Sequence, residues 1–206
     1  MAAGRRPASS SSAHARNLAL AGWVRPATDE ARAVLGEFPD DWAQTGTAAF
    51  ALALAGEGVE AGKTEKALAA RFPEDTLVHA RALARIRAAA ALARRRGQEA
   101  VDHLAASKPY DRGEVTSHYL RGLAYLQLQS APEALASFQT VIDRPQIDQF
   151  SIVHPLARLG RARAAAMGGD LTTSRKAYEE FLAWWKDADP DLPVLVAARA
   201  EYGRLR

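Results

Sequence analysis

Cysteine is absent from all 206 residues. That excludes disulfides, thiol nucleophiles and zinc sites with sulfur ligands, and it is compatible with a reducing, cytoplasmic location. No apolar run approaches the ~20 residues of a membrane helix, so no membrane segment is predicted. β-Branched residues are sparse, which argues against buried strands. Neither sign of charge dominates: 27 basic and 24 acidic residues leave a formal charge of +3, too small a surplus to point to nucleic acid.

Motifs for catalysis are also missing. The stretch GEGVEAGKTEK ends in Gly62-Lys63-Thr64, but Glu57 stands where a phosphate-binding loop needs its first glycine. The looser dinucleotide pattern is met by Gly56 to Ala61, with Asp75 at roughly the distance of a ribose contact. Its flanks, TAAFALALA and KALAARFPED, are alanine-rich and do not read as strands. The expectation is a turn between helices, with a nucleotide-binding enzyme as the remote alternative. His14, His79, His103, His118 and His154 show no metal-ligand spacing and read as isolated surface or boundary residues. No serine sits in a nucleophile elbow, and no glycine-rich loop, H-R-D or D-F-G motif of a protein kinase is present. No catalytic residue, cofactor or metal is predicted, and the chain reads as a non-enzyme.

What the sequence does contain is a period. Pro73, Pro109 and Pro145 stand 36 residues apart, and Pro39 precedes Pro73 by 34. GEFPDD at 36–41 and ARFPED at 70–75 are near copies, and each proline follows an apolar helical stretch that it is expected to stop. Between them, helix-forming runs rich in alanine, leucine, arginine and glutamate are joined by the breakers GEG, RRRGQ, LQSAPE and GGD. The predicted architecture is all-α: antiparallel helix pairs in units 17–44, 45–75, 76–109, 110–145 and 146–190, a capping helix over 191–206, and a disordered tail over 1–16.

The residues of 117–145 resemble a tetratricopeptide repeat (TPR). Gly122 and Tyr125 form its G-x-x-Y pair, and Ala134, Phe138 and Pro145 follow at the family's spacing. Small residues at Gly122 and Ala134 allow two helices to cross closely while Tyr125 and Phe138 fill the flanking space. Gly160 occupies the glycine position of the next unit. The run from Ala177 to Arg206, with FPEDTLV and YLRGLAYL, resembles the repeat tails attached to bacterial serine/threonine kinases and to some transcriptional regulators. That resemblance implies an α-solenoid with a non-catalytic role: a scaffold binding a protein segment in its concave groove, or a regulatory or self-associating tail.

Two sets of residues are candidates for partner contact. Tyr119, Leu123 and Gln127 recur at i, i+4 and i+8 on a first helix, the ligand-facing position that the resemblance implies. HARALARIRAAAALARRRG at 79–97 carries arginines without an acid, and Arg81, Arg85 and, in a later first helix, Arg161 are candidates for an acidic peptide with an apolar anchor. The competing reading is a solvated arginine face with its stems laid over alanine. Nucleic acid is disfavoured, because the aromatics are accounted for as core.

Overall fold

The computed structural model describes residues 11–205, which contain eleven α-helices and no strand. The helices come in antiparallel pairs: α1 (Ser12–Ala21) with α2 (Val24–Glu37), α3 (Trp42–Leu54) with α4 (Gly58–Arg71), and α5 (Ala84–Ala93) with α6 (Gly97–His103). Then come α7 (Thr116–Gln127) with α8 (Ala131–Ile142), α9 (Val153–Met167) with α10 (Leu171–Trp184), and the single helix α11 (Pro193–Gly203). The protein is an all-α solenoid, as the proline period predicts.

The expected tail over 1–16 needs correction. Residues 1–10 lie outside the described residues, but Ser12 to Arg16 already belong to α1. A serine-rich composition is compatible with disorder, but serine is also a preferred helix cap. Here the Ser11 hydroxyl caps the helix, accepting from the His14 N–H, and Ala15 is buried.

The proline motifs separate consecutive pairs. Pro39, Pro73 and Pro145 follow the ends of α2, α4 and α8. The acid after each F-P is the cap of the next first helix: Asp41 Oδ1 accepts from the Ala43 and Gln44 N–H groups at 2.9 and 3.1 Å, and Asp75 Oδ1 from Leu77 and Val78 at 2.9 and 3.1 Å. Glu114 does the same for Ser117 at the start of α7. Pro109 departs from the expected stop. The α-helix has ended at His103, and Pro109 sits inside a 3₁₀ stretch, Leu104–Gly113. Arg121 from α7 holds that stretch, donating to Asp111 at 2.7 and 3.0 Å, to the Leu104 carbonyl at 3.0 Å and to Ser107 Oγ at 2.8 Å.

A second periodic contact involves the histidines. His79, His118 and His154 donate through Nε2 to the carbonyl seven residues earlier, on Phe72, Asp111 and Ile147, at 3.1, 3.3 and 2.8 Å. Thr45 Oγ1 makes the equivalent bond to Phe38 at 3.0 Å. The carbonyl can only accept, so the proton of each ring is on Nε2. These residues tie the first helices of the second to fifth pairs back to the turns before them.

The first helices form a continuous inner layer, α1 on α3, α3 on α5, α5 on α7 and α7 on α9. They are more buried than their partners: α3 is buried continuously from Ala48 to Ala53, whereas its partner α4 buries only Ala61 and Leu68. Alanine dominates these inner faces because its small side chain lets axes approach. The tightest point is the Phe138 ring, held between two glycines. A Cβ added to Gly122 of α7 would come within 2.5 Å of the ring, and one on Gly160 of α9 closer still. At the C-terminal end α11 covers the last pair with the fully buried Leu195, and Tyr202 packs on Tyr178 at a centroid distance of 5.9 Å.

The two ends of the solenoid meet. Arg16 on α1 reaches Asp148 in the loop between α8 and α9 at 3.5 Å. The α1–α2 turn at Gly22 abuts the start of α11, where an added Cβ would lie 3.0 Å from Pro193 Cβ.

Gly122→Ala and Gly160→Ala should each lower the unfolding free energy by about 1–3 kcal/mol in urea titrations. Combining either with Phe138→Leu should lose less than the sum of the single changes. Additive losses would show that the ring does not couple to the glycines.

Candidate functional site

The inner layer carries a half-open cavity of about 200 Å³. Its wall is built from α1, α3 and the segment leading into α5. Arg16 comes from α1; Trp42, Ala43, Gly46, Thr47 and Phe50 come from α3; Arg81, Ala82 and Arg85 complete it. The third wall is irregular, since residues Val78–Leu83 form a π-helical turn before α5 begins. Such turns carry an extra residue per hydrogen-bonded ring and recur at functional sites. Gly46 sets the spacing of the wall: a Cβ there would lie 2.9 Å from Ala82 Cβ.

Three arginines therefore line one small, half-open cavity. Burial disfavours the charge on Arg16 and lowers its pKa from the ordinary arginine value, with Asp148 acting in the opposite sense and the like charge of Arg85 adding to the shift. Arg85 pairs with the buried Glu114, yet its Nε is buried without a hydrogen-bond partner among the described residues. Arg81 has no ion pair or hydrogen bond among the described residues. The Glu114 carboxylate is opposed by burial, but Arg85 and the Ser117 N–H outweigh that cost and hold its pKa below the usual carboxylate range.

Of the residues singled out for partner contact, the structure brings Arg81 and Arg85 together and disperses the rest. Tyr119 is 6% exposed and packs against Phe138 at 5.9 Å between ring centroids. Burial pushes its hydroxyl up to about 12. Tyr119 thus offers a partner almost no surface, because the close approach of α7 and α9 closes over it. Leu123 is half-buried against the core, and Gln127 donates to the Leu92 carbonyl of the preceding pair at 2.9 Å. Arg161 pairs with Glu180 of α10 at 2.7 Å and reaches Gln139 of α8 at 3.3 Å, so it joins outer helices. Among the packing residues, Ala134 and Phe138 are fully buried and Tyr125 is half-buried.

Arg16 and Trp42 were not anticipated, Arg16 because it lay in the presumed tail. The Ser11 cap and the apolar run that follows it were the available signal. The segment Gly56 to Ala61 is the turn after α3, with Gly56 at φ 89°, followed by the first turn of α4 from Gly58. No strand precedes it, so the dinucleotide reading is overturned. Among the described residues no group of three or more histidine or acidic side chains could hold a metal ion, and no helix is long and apolar enough to cross a membrane.

No protein-family model matches the chain, and no curated protein matches it significantly. A crystal structure of a tetratricopeptide repeat protein from Parabacteroides merdae, at 2.39 Å resolution, aligns over 93% of this chain and 70% of that one. The TM-score is 0.55 and the identity 17%. The chain folds as a TPR-like α-solenoid. At that identity the likeness speaks to the fold alone. In this TPR-like solenoid the arginine-lined cavity belongs to the inner, concave layer, since only first helices and the turn leading into one of them contribute to it.

Glu114 provides a pH test of this wall. A carboxyl held below its unfolded value, about 4.3, contributes stability that is complete above that pH and lost as pH falls through the lower folded value. Glu114→Gln should therefore reduce stability at pH 7 by up to about 3 kcal/mol, through the uncompensated Arg85. It should also flatten the loss of stability on acidification below about pH 4.3. Urea titrations from pH 7 to pH 3 read both, and a variant with an unchanged acid limb would show that Glu114 is not held ionised by Arg85.

Proposed function

We propose that the protein is a non-catalytic interaction module that binds a segment of a partner protein on the concave face, at the cavity bounded by Arg16, Arg81 and Arg85. The observation that carries this reading is Arg81, a cation without a counter-charge among the described residues, beside two further arginines and the rings of Trp42 and Phe50. Charge without an internal partner is available to an external one, and apolar wall beside it suits an anchoring side chain. The partner is accordingly acidic with an apolar anchor. The likeness of the C-terminal run to repeat tails of bacterial signalling kinases and regulators supports a signalling partner.

A photo-crosslinking amino acid at Ala43, on the cavity wall, should capture a partner from cell lysate, and the same group at Val59, 78% exposed on the outer helix α4, should not. Capture at Ala43 should fall with added salt and in Arg81→Gln. Capture at Val59 alone would move the function to the outer surface, and capture of a second copy of the chain at Ala43 would identify self-association.

A further inference from the structure

Independently of the concave-face partner, we infer that the seam between the two ends of the solenoid is a binding site for a small organic cation, an ammonium group carried on an apolar body. A groove of about 450 Å³ runs along this seam, a volume in the range of small-molecule sites, which favour junctions between domains and between helices. One side is Leu18 of α1 and Trp23 of the α1–α2 turn; the other is Ile152 before α9, with Trp185 and Leu192 between α10 and α11. The residues that α1 gives to the groove, His14, Asn17, Leu18 and Ala21, share one face of that helix. At about 100° per residue Arg16 falls on the opposite side, so the groove is separate from the arginine-lined cavity.

The lining selects for positive charge. Neither lysine nor arginine lines the groove, and Asp189 gives it a carboxylate. Asp189 Oδ1 accepts from the Asp191 N–H at 2.9 Å, which holds the carboxylate at the groove edge. The nearby Lys186 pairs with Asp187 at 3.9 Å instead, so Asp189 has no ion pair among the described residues. The Trp185 ring is braced on Phe181 at 5.1 Å between centroids. Trp23 Nε1 is buried without a partner among the described residues, so what that indole offers the groove is carbon surface and not its N–H. Tryptophan is the ring that attracts an ammonium ion most strongly, and the acid beside the two rings supplies the counter-charge. An anion would meet Asp189 with no basic side chain to offset it, and a neutral apolar molecule would leave the carboxylate unanswered. A ligand in the groove touches both ends of the chain, which meet at the Arg16–Asp148 pair, 3.5 Å, and at Gly22 against Pro193. Occupancy therefore stabilises the closed arrangement of the ends.

The test titrates the whole chain with phenethylammonium, 2-phenylethanol and 3-phenylpropionate, which share a ring and differ in charge. Binding is read from the tryptophan indole Nε1–H resonances and from the melting temperature. Phenethylammonium should bind about fivefold more tightly than the alcohol, and the carboxylate more weakly than either. The Trp23 and Trp185 resonances should move while that of Trp42, in the arginine-lined cavity, stays in place, and saturating cation should raise the melting temperature. Asp189→Asn, which keeps the oxygen that accepts from Asp191, should erase the preference for the cation and leave binding of the alcohol as it was. Ala188→Phe, which fills the groove from its wall, should remove binding of all three. Equal binding of cation and alcohol, tighter binding of the carboxylate, no binding, movement of Trp42 alone, or a cation preference that survives Asp189→Asn would each overturn the assignment. Tighter binding of acetyl-phenylalanyl-lysine amide than of phenethylammonium would give the groove to a basic peptide, and shifts of Trp23 and Trp185 on dilution without ligand would give it to a second copy of the chain. Capture at Ala43 should be indifferent to the cation, so either reading can fail without the other.

Discussion

The close approach of the inner helices is the constraint on which the rest of the structure depends. It is most severe where the Phe138 ring lies against Gly122 on one side and Gly160 on the other. A side chain of any size at either glycine would push an inner helix outward. The same economy of bulk runs through the inner layer as alanine: Ala48 and Ala49 in α3, Ala88 and Ala89 in α5, Ala124 in α7 and Ala162, Ala164 and Ala165 in α9 are all buried. Inner helices that pack more closely than outer ones make a stack curve. Here the curvature suffices to bring the α1–α2 turn against the start of α11.

That meeting of the ends determines the electrostatics. In an open solenoid, arginines on the first helices would extend into water along a wide groove. Here burial disfavours the charge on Arg16, and the like charge of Arg85 in the same cavity adds to the penalty. The fold answers with acids drawn from distant turns, Asp148 from the loop before α9 and Glu114 from the cap of α7. Elsewhere on α9, Arg163 is compensated by Glu201 at 2.8 Å and Arg161 by Glu180, while Arg158 lies over the Trp184 ring at 4.5 Å. Of the three arginines that line the cavity, Arg81 is the one without an ion pair among the described residues, which is why the functional reading rests on it and not on the number of arginines.

The repeat was legible because its signals are local. Proline and the acid after it act within one turn, as stop and cap, and Gly122 and Phe138 are read at fixed spacing within one helix pair. What escaped was set by contacts between repeats. Tyr119 lies on the helix face that meets a ligand in an open groove, but tight packing buries it on Phe138. Gln127 is taken by the carbonyl of Leu92 in the preceding pair. The histidines were read one at a time, whereas His79, His118 and His154 share one role that is visible only when repeats are superposed. The start of α1 was missed because Ser-rich composition resembles a tail, although serine is also a preferred helix cap.

The irregular third pair explains why the arginines are where they are. Its first helix opens with a π-helical turn and its second is cut short at His103, giving way to the 3₁₀ stretch that Arg121 holds. Both features cost backbone regularity, and nothing in the helix propensity of VHARALARIRAAAALA calls for the first. Removing one residue of the π turn after Arg81 would rotate Arg81 and the chain before it by about 100° relative to α5. That would turn Arg81 out of the wall while leaving Arg85 on Glu114, so the uncompensated charge would no longer lie in the cavity. The departure from ideal geometry is thus concentrated in the one pair that contributes two of the three guanidinium groups, where local rules are expected to yield to a site.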